Sequence, residues 1–264
     1  MVLRSLAALV LLVSTLCSPA FAEDGVLRVS APHALVPFLK SVAGGFGTSQ
    51  AIRVDVSERS SNAVAAALKA GDVDIGLSDS VLAGEPTIND TAVAAVAFAL
   101  VANASAGVEG LSSARVKALF DHTSLSWKDV GGAELPVLTI ERPRRSATQT
   151  LLERVFALDP ARRAADAVQD ASTSVVADVR STRGAIGVVG LPFAGDLSGV
   201  TVLKVDGITP GTAGIAAKQY PLFAYEHALT LSGTSLSISR FIAYLRTQSD
   251  AWRQAGFIPM RDVR

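Results

Sequence analysis

The stretch TIERPRRSATQTLLERVF, residues 139–156, decides the fold class. An apolar run over residues 135–140 has the composition of a strand, and it leads into Arg142 and a short basic turn. Ser146 then stands where a helix N-cap is expected, ahead of apolar residues with helical spacing between positions 151 and 156. The stretch therefore predicts a strand, a turn and an amphipathic helix, which is the repeating unit of an α/β protein.

The start of this predicted helix is suited to a tetrahedral oxyanion. The first backbone amides of a helix have no partner within the helix, and the helix dipole is positive at that end. Ser146 and Thr148 add two hydroxyls, and Arg142 adds a guanidinium that can bind an oxyanion with two parallel hydrogen bonds. These residues are therefore our first candidates for a binding site.

Alternatives for the arginines stay open at this point. Arg142 could instead form a surface salt bridge with Glu141 or Glu153. Arg144 and Arg145 are either solvated turn residues or additional cations for the same anion.

The first 22 residues have the pattern of a secretory signal peptide. Arg4 supplies a positive start, residues 6–16 form a short apolar segment, and an A-x-A triplet ends at Ala22. We expect cleavage near Ala22 and a periplasmic mature protein. Cys17, the only cysteine, would leave with the signal, so we expect neither a disulfide nor thiol chemistry in the mature chain.

Composition and motifs exclude several classes of function. Lys plus Arg and Asp plus Glu each number 24, and no polybasic tail is present, so we expect no nucleic-acid partner. The three histidines lack ligand spacing, so we expect no metal, and no motif predicts a cofactor. G-x-S-x-G, the P-loop and the dinucleotide-binding glycine pattern are absent, which argues against an enzyme. A hydrolase that uses Ser146 stays as a rival, and we expect a monomer.

The rest of the chain alternates between strand and helix patterns, which predicts a mostly parallel sheet. Two apolar runs, residues 93–101 and 220–231, are candidates for strands that cross between two lobes. The predicted strands are residues 26–30, 52–56, 74–79, 93–101, 184–189, 200–205 and 220–231, and the predicted helices include residues 60–68, 111–120, 160–167, 174–181 and 237–247.

Six separated segments, in order along the chain, resemble the phosphate-binding periplasmic proteins, the solute receptors of phosphate ABC transporters. Together they cover nearly the whole predicted mature chain. The segments are residues 62–79 (AL…G…DIG.SD), 111–132 (a helix and W.DVGG), 142–148 (R…SAT for the family's R…SGT), 184–188 (GAIGV), 220–222 (YPL) and 241–259 (ending in GF.P).

The resemblance implies an α/β type II periplasmic-binding-protein fold, in which two lobes with mixed sheets flank a central cleft and two strands cross between them. It places lobe 1 at residues 23–100 plus 222–264 and lobe 2 at residues 101–221, after the signal peptide at 1–22. It also implies a small inorganic oxyanion as ligand, phosphate above all, and an ABC transporter permease as partner.

The family's ligand-binding positions carry over to this sequence one by one. In lobe 2 the resemblance assigns Arg142, Ser146, Ala147 and Thr148. In lobe 1 it assigns Asp79, whose carboxylate would accept a proton from bound phosphate, and the helix-start serines Ser61 and Ser60, with His33 in the first loop.

The first loop departs from the family. Where the family has G-S-S-T-x-x-P, this chain has APHALVP at residues 31–37, without the glycine and the hydroxyls. Pro32 also lacks an amide donor. His33 replaces a small hydroxyl residue and could donate to an anion when protonated, or it could be a partly buried histidine with a partner within the protein. A second reading therefore stays open: a divergent sensor or accessory protein of the same fold with altered or lost phosphate binding.

Overall fold

A computed structural model describes residues 25–59, 61–78, 86–144 and 146–263, except for the side chains of residues 61 and 62. The predicted signal peptide lies outside these residues. None of the described helices is both long and apolar enough to cross a membrane. The described helices are α1 (Val36–Gln50), α2 (Ser61–Lys69), α3 (Ser113–Phe120), α4 (Ala147–Val155), α5 (Ser172–Ser181), α6 (Thr212–Ala216), α7 (Leu236–Thr247) and α8 (Ser249–Gln254).

The strands form one mixed sheet along which the order is β2-β1-β3-β10-β4-β8-β6-β7, with β11 and β9 also paired to β4 and β5 paired to β9. The strands are β1 (Val26–Ala31), β2 (Arg53–Glu58), β3 (Ile75–Ser78), β4 (Ile88–Asn103), β5 (Gly110–Leu111), β6 (Leu138–Glu141), β7 (Ala167–Val168), β8 (Ala185–Gly190), β9 (Val200–Val205), β10 (Phe223–Leu231) and β11 (Ile258–Pro259).

Strand β4 connects the two halves of the sheet. It pairs with β10 up to Ala97, which lies opposite Phe223, and with β8 from Phe98, which lies opposite Gly190. β3 is antiparallel to β10 and β10 is antiparallel to β4, so β1 and β3 run in the same direction as β4. β8 is antiparallel to β4 and parallel to β6. The carboxyl ends of β1 and β3 therefore face those of β6 and β8 across the point where β4 changes partners.

Apolar packing covers both faces of this sheet. Residues 93–102 of β4 are all buried, as expected for a central strand. Trp127 and Trp252 are fully buried, and each indole N–H donates to a backbone carbonyl, of Gly184 and Leu245 respectively, at 2.8 Å. Both tryptophans thus belong to the core, where their polar atoms are satisfied.

Most of the predicted elements are present with shifts of a few residues at their ends. The predicted helix at residues 160–167 is wrong, because this segment is a turn followed by β7. Asp159 accepts a hydrogen bond from the Ala161 N–H at 2.8 Å through its side chain, and from the Arg162 N–H at 3.1 Å through its carbonyl. These local bonds form a turn in place of a helix.

Candidate functional site

The predicted strand, turn and helix around residue 142 form as one unit. β6 ends at Glu141 and α4 begins at Ala147. The Ser146 hydroxyl accepts a hydrogen bond from the Gln149 N–H at 3.1 Å, so Ser146 caps the helix as predicted. Its own N–H donates to the Pro143 carbonyl at 2.8 Å, which closes the turn. We call residues 142–148 the anion loop.

Arg142 lies where the two halves of the sheet meet. It follows the last residue of β6, and β6 is parallel to β8, whose last residue, Gly190, pairs with Phe98 at the partner change of β4. On the other side of this partner change, the carboxyl ends of β1 and β3 point towards it. In open α/β sheets such a point is the usual position of a ligand.

Two of the three guanidinium nitrogens of the half-buried Arg142 side chain are buried and have no partner among the described residues. Its Nε and Nη1 atoms are inaccessible to solvent and have no hydrogen-bond acceptor among the described residues. Burial lowers the pKa of Arg142, an effect that the nearby Asp170 carboxylate opposes. Leaving charged donors buried and unsatisfied is costly, so this arrangement is what a site for an anionic ligand requires.

The alternative of an Arg142 salt bridge to Glu141 or Glu153 is wrong in this structure. Both carboxylates pair with Arg162 instead. Arg162 donates to the two oxygens of Glu141 at 2.8 and 2.7 Å, and to Glu153 at 3.2 Å. The two acids adjacent to the anion loop are therefore engaged by another cation.

The other lobe 2 candidates lie in the same unit. Ala147 and Thr148 occupy the first two positions of α4, and Thr148 is buried. Amides at these positions have no acceptor within a helix. Arg142, Ser146, Ala147 and Thr148 are thus brought together in one loop and helix start.

The lobe 1 candidates are less completely described. Ser60 and Asp79 lie outside the described residues, as does Arg145. Ser61 is the first residue of α2, which begins after the carboxyl end of β2. Asp79 would follow Ser78, the buried last residue of β3.

His33 lies on the surface. It begins a 3-10 turn after β1, its side chain is 87% exposed, and its Nδ1 is 2.9 Å from the Glu58 carboxylate. The predicted contact between His33 and an anion stays a prediction. In the same loop the Leu35 N–H donates to the Pro32 carbonyl at 2.9 Å, and the Val36 N–H donates to the His33 carbonyl.

No group of three or more His, Cys, Asp or Glu within the described ranges could hold a metal ion. The two other histidines each have a partner. His227 contacts the Asp90 carboxylate, and His122 is 3.0 Å from the Arg163 guanidinium. Burial, with a smaller contribution from Arg163, lowers the pKa of His122.

Sequence reasoning missed the polar cluster behind the anion loop. It comprises Glu141, Gln149, Glu153 and Arg162, and the Gln149 side chain is fully buried. An available signal was Glu141, a charged residue at the end of an otherwise apolar strand pattern.

Comparisons with known proteins agree with this geometry. The sequence matches the PBP superfamily domain over residues 19–248. The phosphate-binding protein PstS of Bacillus subtilis (strain 168) is 28% identical over 250 residues, which cover 91% of this chain and 83% of that protein.

Solved structures show the same fold. One is a candidate phosphate ABC transporter substrate-binding protein from Clostridium perfringens, solved with bound phosphate. It has a TM-score of 0.75 at 19% identity, and covers 89% of this chain and 99% of that one. An ABC-type phosphate transport receptor from Vibrio cholerae has a TM-score of 0.71 at 20% identity, and the match covers 88% of this chain and 99% of that chain. These likenesses confirm the predicted α/β fold of the periplasmic-binding-protein type.

Proposed function

The chain belongs to the PBP superfamily, and from that premise we propose that it is a secreted solute-binding protein that captures phosphate or a similar small oxyanion for an ABC importer. The observation that carries the proposal is Arg142, which follows the carboxyl end of β6 and whose Nε and Nη1 are buried with no partner in the described part of the chain. The names of the relatives, a phosphate-binding protein and phosphate transport receptors, support the same ligand.

In the proposed complex the anion lies between two lobes, residues 23–100 plus 222–264 and residues 101–221. The partner change of β4 at Phe98 supports this division. Lobe 2 contributes Arg142, the Ser146 and Thr148 hydroxyls and the first amides of α4. Lobe 1 contributes Ser61 with Ser60, and Asp79 as acceptor of a phosphate proton, with His33 at the margin. A carboxylate at position 79 would favour a protonated anion over sulfate.

Ligand binding would draw the two lobes together, because each lobe holds only part of the donor set. The permease would recognise the closed form.

We further propose that the signal peptide is cleaved near Ala22, that the mature protein is periplasmic and monomeric, and that it is not an enzyme.

The direct test is isothermal titration of the mature protein with phosphate, sulfate and small carboxylates, after unfolding and refolding to remove any retained ligand. We expect saturable one-to-one binding of phosphate and much weaker binding of sulfate. Tighter sulfate than phosphate binding would contradict the role of Asp79 but leave the oxyanion receptor intact.

A second candidate is a divergent anion sensor or accessory protein of the same fold. The first loop favours it, because residues 31–37 contain no hydroxyl and the amides of Leu35 and Val36 are used within the loop. Absence of binding to every anion in the same titration would support this function and reject capture for transport.

The hydrolase rival predicts turnover of a chromogenic phosphate ester that disappears in Ser146→Ala. The Ser146 hydroxyl already accepts the hydrogen bond that caps α4. The described hydrogen bonds of the three histidines go to Glu58, Arg163 and Asp90, so none of these bonds joins a general base to Ser146. We expect no turnover above the uncatalysed rate.

A further inference from the structure

A buried polar cluster lies behind the anion loop. Glu141 and Arg162 form its centre, with side chains only 5% and 3% exposed. Arg162 holds both Glu141 oxygens and also reaches Glu153. One guanidinium thus engages two carboxylates, one of which directly precedes Arg142 in the chain.

Gln149 links this cluster to the anion loop. Its side-chain amide donates to the Glu141 carboxylate and, at 3.1 Å, to Glu153. Its side-chain oxygen accepts the Arg142 N–H at 3.3 Å, and its backbone N–H donates to the Ser146 hydroxyl. One residue, Gln149, therefore connects the charged groups of the cluster to the backbone of the anion loop by hydrogen bonds.

The cluster would oppose anion capture if its acids were uncompensated. A buried carboxylate without a partner both repels an incoming anion and attracts nearby cations, and Arg142 is the residue that follows Glu141 in the chain. With Arg162 in place, the carboxylates have their own guanidinium, and Arg142 Nε and Nη1 have no partner among the described residues. Arg162 itself is not available to bind the anion, because both of its terminal nitrogens donate to Glu141.

We propose, building on the proposed function, that Arg162 is a positioning residue for anion capture. It neutralises Glu141 and Glu153, and thereby keeps the Arg142 guanidinium available to the ligand. The effect is electrostatic, so it depends on the charge of Glu141 rather than on the Arg162 side chain alone.

The experiment compares three variants of the mature protein: Arg162→Met, Glu141→Gln and the double variant Arg162→Met/Glu141→Gln. Phosphate affinity is measured by calorimetry and thermal unfolding by circular dichroism. Arg162→Met should weaken phosphate binding by about tenfold or more, because it leaves the buried Glu141 carboxylate uncompensated beside Arg142 in the chain. Glu141→Gln should bind phosphate as tightly as the wild type or more tightly, and the double variant should return to within about threefold of it.

The two single variants separate positioning from a merely structural role. Both break the same ion pair, so both should lower the unfolding temperature. A structural role predicts that affinity falls in both, whereas neutralisation predicts that it falls only in Arg162→Met. Wild-type affinity in folded Arg162→Met, a tenfold loss in Glu141→Gln, or no recovery in the double variant would each overturn the proposal. If Arg162→Met does not fold, Glu141→Gln and the double variant decide the question.

Failure of the proposed function is distinguishable from failure of this inference. If the wild type binds no phosphate, capture of phosphate is rejected, and a crystal structure of the ligand-free Arg162→Met variant tests the neutralisation on its own. In that variant Arg142 should form an ion pair with Glu141 or Glu153. An Arg142 that keeps its wild-type, unpartnered position would overturn the inference.

Discussion

The anion loop follows the carboxyl end of β6 and the first loop, residues 31–37, begins at the last residue of β1, yet the two are built differently. The anion loop is supported by a polar cluster and carries a guanidinium of which two buried nitrogens have no partner in the described part of the chain. The first loop contains no hydroxyl, uses amides of Leu35 and Val36 internally, and exposes His33 to solvent. Of these two loops, the anion loop therefore offers the donors and the first loop offers few.

This difference leads us to expect that the affinity for the anion depends mainly on the anion loop, and that closure of the two lobes depends more on the first loop. Under the proposed function, lobe 2 would supply most of the affinity through a charge, two hydroxyls and a helix start. Lobe 1 would decide which anion is accepted and how completely the lobes close. Variants of the two loops should therefore have unequal effects.

The largest effect is expected for Arg142→Met. Removing the guanidinium should weaken phosphate binding by about 100-fold, the usual scale for losing one partner of a desolvated charge pair. The ligand-free protein should keep or raise its unfolding temperature, because the variant removes buried donors that lack partners. Calorimetry and thermal unfolding measure the two quantities.

Arg144→Met is the matched control for that variant. Arg144 is exposed, and its guanidinium reaches the Pro160 carbonyl at 3.4 Å. The affinity of the Arg144→Met variant for phosphate should stay within about twofold of that of the wild type. Equal losses in Arg142→Met and Arg144→Met would mean that general positive charge, and not one buried contact, attracts the anion.

Thr148→Val should have the next largest effect. The change preserves the shape of a buried side chain and removes its hydroxyl. We expect about a tenfold loss of phosphate affinity with little change in stability, because one hydrogen bond to a charged ligand is lost. Unchanged affinity would remove the Thr148 hydroxyl from the proposed donor set.

Ser146→Ala tests the helix start through stability as well as binding. It removes the side chain that accepts the Gln149 N–H, so the free energy of unfolding should fall by ~1 kcal/mol. Phosphate affinity should fall too, and denaturant titration followed by calorimetry separates the two changes. Ser112→Ala, which removes the corresponding cap of α3, is the control: it should lower stability and leave affinity unchanged.

The smallest effect is expected for His33→Ala. Because this side chain is exposed and paired with Glu58, its removal should change phosphate affinity by less than about twofold. A tenfold loss would restore His33 as a ligand-binding residue and would show that the first loop rearranges on closure.

The local units of this fold were predictable because each depends on neighbouring residues. The Ser146 cap, the apolar strand β4 and the helix α4 follow from side-chain spacing and capping chemistry. Residues 160–167 were mispredicted as a helix because Asp159 bonds to the following amides, and no periodicity records that competition.

The site was predictable only where its residues are close in sequence. Arg142, Ser146 and Thr148 lie within seven positions, so one pattern contains them. The partnership between Arg162 and Glu141 spans 21 positions and depends on how the turn before β7 packs against β6. Pairing of this kind is a property of the tertiary structure, so the sequence did not predict that Glu141 and Glu153 pair with Arg162.

The central claim is that the unpartnered nitrogens of Arg142 are the contact for the captured anion. A crystal structure of the mature protein grown with phosphate tests it most directly. We predict a phosphate that accepts from the Arg142 guanidinium either side-on through Nε or end-on through Nη1, with oxygen–nitrogen distances of about 2.7–2.9 Å, and that lies within reach of the first amides of α4. A phosphate bound elsewhere, with the Arg142 guanidinium still without a partner, would contradict the claim.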